Sequence, residues 1–360
     1  MPKSIYELVN SQAMAAYWEE LQSNRIPYLG EGLFPNQKKL GLKLEWIKGY
    51  NQLPVALMPS AFDAKPTLRD RIGVTEMSTK MPFFREAMRI GEEDRQQLLM
   101  LMDAGKPYVD SIITRIFDDV KTLVDGALVQ SERMRMSLLV DGKIAISAPN
   151  DSGVVVDYSY DYDASGTWKA KNTVTLAGQD AWSDTANSNP IADILDAKRE
   201  MSVKYGVTLT RGIMTTKTWT YLMNNAAIKN DMNVVEGAKI ILTDGDLQRY
   251  LLAKTGITFV IYDKMYKDEA GVDKQFYPDD YVTLLPAYTL GNTWYGTTPE
   301  EADLMNGNVD ANVTVVNTGI AILTKKESLP VNVITSVSEI VLPSFERMSD
   351  IYVMKVASAV

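Results

Sequence analysis

The sequence predicts an α+β fold, and three observations carry that expectation. One helical stripe runs unbroken from Tyr108 to Leu139. After it, strand-like and helix-like runs follow in mixed order, and hairpin turns join several of the strands where a regular βαβ repeat would have crossover helices. With 46% apolar and 23% charged residues over 360 positions, the chain can bury a core and remain soluble.

Taken in order, Ser4-x-x-Glu7 forms a capping box, in which the Ser oxygen takes a free amide and Glu7 reaches back to the Ser4 amide. Ile5, Leu8, Val9, Ala13, Ala16, Tyr17 and Leu21 then recur at helical spacing, predicting an amphipathic helix over residues 5–23. It is either an ordinary packed helix or an arm that docks on another chain. Residues 24–60 change texture: Pro27, Gly30, Gly32, Pro35, Pro54 and Pro59 punctuate short extended pieces such as Lys43-Leu44-Glu45-Trp46-Ile47. Residues 61–90 show no clear periodicity and are net positive inside an acidic chain. Phe62, Phe83 and Phe84 mix there with Lys65, Arg69, Arg71, Lys80, Arg85 and Arg89. So long an irregular stretch is expected to be a functional loop, and its aromatic and Arg content points to a docking surface.

The strongest element follows. Val109, Ile112, Ile113, Ile116, Val120, Leu123, Val124 and Ala127 share one face, while Asp110, Thr114, Asp118, Lys121 and Asp125 fall on the other. Pro107 sits near the first turn and Gly142 follows the end. At 1.5 Å per residue the helix spans roughly 48 Å, longer than an ordinary small core requires. It reads as a strut. Beyond it, strands are expected at 143–148, 153–162 and 168–176, with a turn at Ala164-Ser165-Gly166. A helix capped by Asn189 runs from Pro190 to about Tyr205. Strand 207–214, helices 216–224 and 245–254, and strand 257–263 come next. A hairpin turns at Glu269-Ala270-Gly271 before strands at 280–285, 312–324, 331–342 and 351–357.

The composition removes much chemistry. Without Cys there is no disulfide, thiol nucleophile or zinc finger, and without His the commonest acid/base group and metal ligand are missing. Serine triads and Cys–His dyads are excluded. Thirty-seven basic against 46 acidic residues, a net charge of −9, argue against a protein whose main work is gripping nucleic acid. The first residues lack the charged and apolar regions of a signal peptide, and no apolar run approaches the ~18 residues of a membrane span. Asn312-Val-Thr314 matches a glycosylation triplet by chance. Asp161-Tyr-Asp163-Ala-Ser165-Gly166 copies the opening of a calcium loop, but Lys169 and Asn172 occupy the positions that should close it, so a strand entering a hairpin explains it better. Glu92-Glu93-Asp94 reads as a solvated helix start and Asp244-Gly-Asp246 as a turn and helix cap. No nucleotide-binding or hydrolase motif occurs. A carboxylate pair brought together by the fold remains open, although no spacing suggests one. No catalytic, cofactor-binding or metal residues are expected.

The stretches Leu29-Gly30-Glu31-Gly32-Leu33-Phe34-Pro35, Lys43-Leu44-Glu45-Trp46-Ile47 and Ala56-Leu57-Met58-Pro59 carry a resemblance. So do Gln130-Ser131-Glu132-Arg133, Val140-Asp141-Gly142-Lys143, Phe276-Tyr277-Pro278-Asp279-Asp280 and Ser349-Asp350-Ile351-Tyr352-Val353. With the order arm, irregular loop, solitary long helix and mixed α/β domain, the chain resembles the Hong Kong 97-type major capsid proteins of tailed bacteriophages. It is most similar to the lambda-like major capsid protein E family.

That resemblance implies residues 1–35 as an N-terminal arm and 36–90 as an extended loop lying over a neighbouring subunit. It implies 91–185 as a peripheral domain with spine helix 108–139, 186–330 as an axial domain, and 331–360 as C-terminal strands returning to the peripheral domain. The function implied is a structural head protein, not an enzyme, that self-assembles as hexamers and pentamers into an icosahedral shell enclosing double-stranded DNA without sequence-specific binding. Assembly in the bacterial cytoplasm is expected, with a portal, a decoration protein and a scaffolding protein as partners. Because the arm begins at Met1, the scaffold is expected as a separate chain. Shells use repeated interfaces in closed symmetry. The expected interface pairs Phe62, Phe83 and Phe84, as packing residues, and Arg69 and Arg71, as guides, with Asp110, Asp118, Asp119 and Asp125 of a neighbour's spine helix. The rival readings are a bacterial nanocompartment shell of the same fold, a carboxylate-dependent glycosidase or lyase, and a tail or baseplate protein.

Overall fold

The computed structural model describes residues 10–22, 27–48, 75–93, 96, 106–149, 155–232, 242–307, 312–327 and 332–357. The capping box at Ser4–Glu7, residues Phe62, Lys65, Arg69 and Arg71, and the Ala56–Pro59 stretch lie outside them. Contacts divide the chain into two compact units: Met1–Glu45, Ser78–Met134 and Asn292–Ser344 in the first, and Trp46–Met77, Arg135–Gly291 and Phe345–Val360 in the second. Residues 292–330, expected with the axial segment, therefore cluster in the first unit.

The spine helix is Lys106–Asp141, two residues longer at each end than the sequence stripe. It stops where Gly142 adopts the left-handed conformation at φ 63° and its amide donates to Leu138 O at 3.0 Å.

In the first unit, Val333–Pro343 is the strand on which the sheet is built. It runs antiparallel to Ile320–Lys326 along residues 333–339, to Phe83–Ile90 along 333–340, and to Thr293–Tyr295 at 341–343. Asn36–Lys38 adds a parallel strand on Thr293–Tyr295, and Asn312–Val316 closes the other side. The helix Ser11–Gln22 packs on Asn312–Val316 and buries Met14, Ala15 and Trp18; Asn10 caps it through Oδ1, which accepts from Ala13 N at 2.8 Å. Two expectations are corrected here. The single strand expected over 312–324 is a hairpin, turned by Asn317 at φ 47°; the turn is too short to interrupt the apolar run. Within the stretch expected to be irregular, Thr75–Lys80 pairs with Lys43–Lys48 and Phe83–Ile90 joins the sheet. The latter strand shows no alternation because Arg85 to Arg89 are exposed on both faces.

The second unit centres on a five-stranded mixed sheet ordered Thr173–Thr175, Tyr352–Lys355, Tyr281–Pro286, Leu209–Met214 and Thr258–Ile261. Helices Pro190–Tyr205, Thr216–Asn224, Ala226–Met232 and Asp244–Thr255 contribute Ile194, Met201, Trp219, Leu222, Ile228, Leu247 and Leu251 to its core beside Trp182, Val282 and Met354. Asn189 caps the first of them as expected, and Thr215 and Thr243 likewise each accept a hydrogen bond from an amide of the first turn. The cap expected at Asp244-Gly-Asp246 is Thr243, with both acids inside the first turn, and Ala226–Met232 is a helix the sequence reading did not include. Gly206 and Gly256 end two of them in the left-handed conformation. On the sheet's other face Thr283 Oγ1 donates to Leu139 O of the spine at 3.2 Å and lies 2.8 Å from Tyr277 Oη. Lys143–Pro149 and Val155–Asp161 form a separate hairpin, as do Met265–Lys267 and Asp273–Gln275. The strand expected over 168–176 is a short helix, Thr167–Asn172, followed by Thr173–Thr175. Its cause is Asp163, whose two carboxylate oxygens accept from Trp168 N and Lys169 N, each at 2.9 Å, and start a helix where the apolar pattern reads as extended.

Candidate inter-subunit surfaces

Of the surfaces expected to meet a neighbour, the described residues Phe83, Phe84, Asp118, Asp119 and Asp125 lie in the first unit. Phe83 and Phe84 are half-buried at the start of strand Phe83–Ile90, opposite Ile340 and Glu339. They therefore pack in the sheet of their own chain and not at the tip of a loop. The Arg85 guanidinium lies 4.7 Å from the centre of the Phe83 ring and pairs with Glu300. Arg85, Glu86, Ala87, Met88 and Arg89 are exposed in succession, an eight-residue strand that presents both charge and apolar surface to solvent.

The spine acids are partly engaged within the chain. Asp118 Oδ1 accepts from Tyr17 Oη at 2.9 Å; that bond, ahead of desolvation, pushes the Tyr17 phenol above its ordinary value. Asp125 accepts from Trp18 Nε1 at 3.3 Å and from Lys121 Nζ at 2.7 Å. Asp119 is exposed between them, and Asp110 belongs to the spine helix with its side chain outside the described residues. The structure thus brings Asp118 and Asp125 to the arm helix, which packs on its own subunit. Phe62, Arg69 and Arg71 lie outside the described residues.

Sequence reasoning missed a charged node beside this surface. Helix Pro299–Asn306 begins with Glu300 and Glu301, both buried, behind the Thr298 cap. Glu300 takes Arg85 and, at 2.8 Å, the Ser338 hydroxyl; Glu301 takes Lys38 Nζ at 2.6 Å. The run Thr298-Pro299-Glu300-Glu301 is legible as a helix start. Its partners, far away in sequence, are not.

The calcium-like loop is the Asp163 helix cap, and among the described residues no group of three or more acids is arranged to hold a metal. Among them also, no helix is long and apolar enough to cross a membrane.

The model of the family described as phage major capsid protein E matches residues 10–350. The chain belongs to that family. The phage major capsid protein E family is one of structural shell proteins, and neither its family nor its fold is that of an enzyme. The nanocompartment and glycosidase readings are not favoured. Solved structures agree on the Hong Kong 97-type fold. A crystal structure assigned to the capsid protein of an E. coli CFT073 prophage aligns with a TM-score of 0.59 at 14% identity, covering 97% of this chain and 99% of that one. A phage-related protein from Bordetella bronchiseptica RB50 aligns at 0.56 and 13%, covering 96% and 97%. The capsid asymmetric unit of cyanophage A-1(L) aligns at 0.50 and 13%, covering 92% and 93%. No curated protein matches. A phage major capsid protein E member is a component of the virion capsid, and the match along 10–350 places nearly all of this chain in that shell subunit.

Proposed function

We propose that copies of this chain assemble as hexamers and pentamers into a closed icosahedral shell that encloses double-stranded DNA in the host cytoplasm. The family match over residues 10–350 carries the reading. A net charge of −9 fits a container that surrounds a polyanion without gripping it. A separate scaffolding protein, a portal and a decoration protein are the proposed partners.

Within the subunit, residues 1–35 act as the arm and 36–90 as the extended loop. Residues 91–185 are assigned to the peripheral domain with the spine, 186–330 to the axial domain and 331–360 to strands returning to the peripheral domain. By contacts, 292–344 cluster in the first unit, and 135–185 and 345–360 in the second unit with the five-stranded sheet. The two-stranded pairing of Lys43–Lys48 with Thr75–Lys80 supports a loop that leaves and returns as a ribbon. Its contacts with the next subunit are assigned to Phe62, Arg69 and Arg71, with Phe83 and Phe84 at the root. Asp110, Asp118, Asp119 and Asp125 of the neighbour's spine supply the opposite charge.

Electron microscopy of the protein made alone and with the product of an adjacent small gene tests the reading. Closed particles establish the shell, and particles only in the second case identify a scaffold; soluble monomers or open tubes in both overturn it. Arg69→Glu with Arg71→Glu should leave a folded subunit that no longer forms shells. Shells of unchanged size would remove those two residues from the interface.

A further inference from the structure

We propose that helix Pro299–Asn306 is a clasp that couples the two strands rooting the extended loop, Asn36–Lys38 and Phe83–Ile90, so that they loosen or tighten together. The coupling deepens the loop's proposed role and rests on that role only for its consequence in a shell. The clasp itself is a property of the isolated subunit.

The strands lie on either side of residues 39–82 in sequence and do not pair with each other: one pairs with Thr293–Tyr295, the other with Val333–Pro343. They meet through the segment that leads into the helix. Glu301 holds Lys38 at 2.6 Å, and Lys38 Nζ also donates to Gly296 O at 3.1 Å. The neighbouring Glu300 holds Arg85 and Ser338. Both carboxylates are buried, whereas the Lys38 and Arg85 side chains stay 30% and 46% exposed. A strand that lets go therefore returns its cation to water easily and strands a buried anion, which is the costly half of the pair.

Gly296 reinforces the node. A Cβ there would sit 2.7 Å from Ile340 Cγ2, 2.8 Å from Gly41 O and 2.8 Å from Met81 Cε, so a residue following one root and a residue preceding the other both approach this backbone more closely than a side chain would allow. Met81 N donates to Leu42 O at 2.9 Å beside that contact. Two adjacent acids on one rigid turn, capped by Thr298 Oγ1 accepting from Glu301 N at 3.3 Å, cannot shift independently. Movement of the turn reaches both strands.

Hydrogen exchange of the full, unassembled chain tests this, with Glu300→Gln, Glu301→Gln and Thr298→Ala as variants. Thr298→Ala is decisive, because it frays the turn while removing no partner of either strand. The expected result is at least about fivefold faster exchange in both Asn36–Lys38 and Phe83–Ile90 for each variant, with helix Pro190–Tyr205 unchanged. Two outcomes overturn the clasp: each Gln variant loosening only its own strand, or Thr298→Ala loosening neither. Should a Gln variant unfold the subunit, Thr298→Ala still decides. Failure of shell assembly in microscopy would remove the loop's role and leave the exchange result standing.

Discussion

Trp18 of the arm helix donates its indole N–H to Asp125 of the spine helix at 3.3 Å, and its ring is buried while the carboxylate stays partly open to water. One side chain thus supplies both an apolar anchor and a polar pointer, fixing where along the spine the arm lies.

The two contributions separate by mutation. Trp18→Phe keeps most of the ring and should weaken arm docking by about 0.5–1.5 kcal/mol. Trp18→Ala should cost about 3 kcal/mol or more and expose the arm without unfolding the second unit. Exchange rates of amides 11–22, compared with those of Pro190–Tyr205, measure both. Equal effects of the two variants would mean that the bond, and not the packing, holds the arm.

Gly142 ends the spine at φ 63°, and a Cβ would lie 2.3 Å from Met348 Cε and 3.0 Å from the Trp168 ring. Gly142→Ala should therefore destabilise by about 2 kcal/mol or more, from backbone strain plus displacement of a packed ring. A lowered urea midpoint with unchanged slope is the expected signature. Gly166, with similar φ but nothing within 4 Å, should tolerate Ala at about half that cost or less.

Asp163→Ala removes the acceptor of two amides at once and should cost about 1–2 kcal/mol. Millimolar calcium should leave the melting temperature of the unmodified protein unchanged. A calcium-dependent rise abolished by Asp163→Ala would restore the metal reading of that loop.

Burial raises the Asp193 carboxyl above its ordinary 3.8; the Trp182 indole, donating at 2.8 Å, pulls the other way, and Asp180 and Asp196 add to the rise. A carboxylate raised on folding stabilises most when protonated. Its contribution is complete below about pH 3.8 and is lost as pH rises through the folded value. At pH 7 it is a residual penalty, so Asp193→Asn, whose amide oxygen still accepts from Trp182, should raise the urea midpoint at pH 7. At pH 3 the gain should vanish. A loss at pH 7 would show that the charged bond to Trp182 outweighs the desolvation.

Much of this fold was readable because its elements announce themselves locally. The spine carries a stripe of apolar residues, Asn189-Pro190 marks a helix start, and Glu269-Ala270-Gly271 marks a turn that the structure confirms. One miss is local, the hairpin turn at Asn317 being too short to break the apolar run, and the others turn on residues outside the segment itself. Phe83–Ile90 is a strand because Val333–Pro343 pairs with it, not because its own residues alternate. Thr167–Asn172 is helical because Asp163 reaches forward to its amides. At the candidate surface, aromatic and acidic residues could be picked out by type. That Asp118 and Asp125 face Tyr17 and Trp18, about a hundred positions earlier, could not.

The interleaving of the units in sequence also sets a clock. Strand Val333–Pro343, on which the first unit's sheet is built, and strand Tyr352–Lys355, inside the second unit's sheet, are both made last. At about 5–20 residues per second, a ribosome takes on the order of tens of seconds to reach them. Until then neither sheet can close, and the hairpin of Asn312–Val316 with Ile320–Lys326, on which the arm helix lies, has no Val333–Pro343 to pair with. A nascent subunit is thus unable to join a growing lattice early, and synthesis of strands Val333–Pro343 and Tyr352–Lys355 becomes the step that makes a chain competent to be counted into a particle.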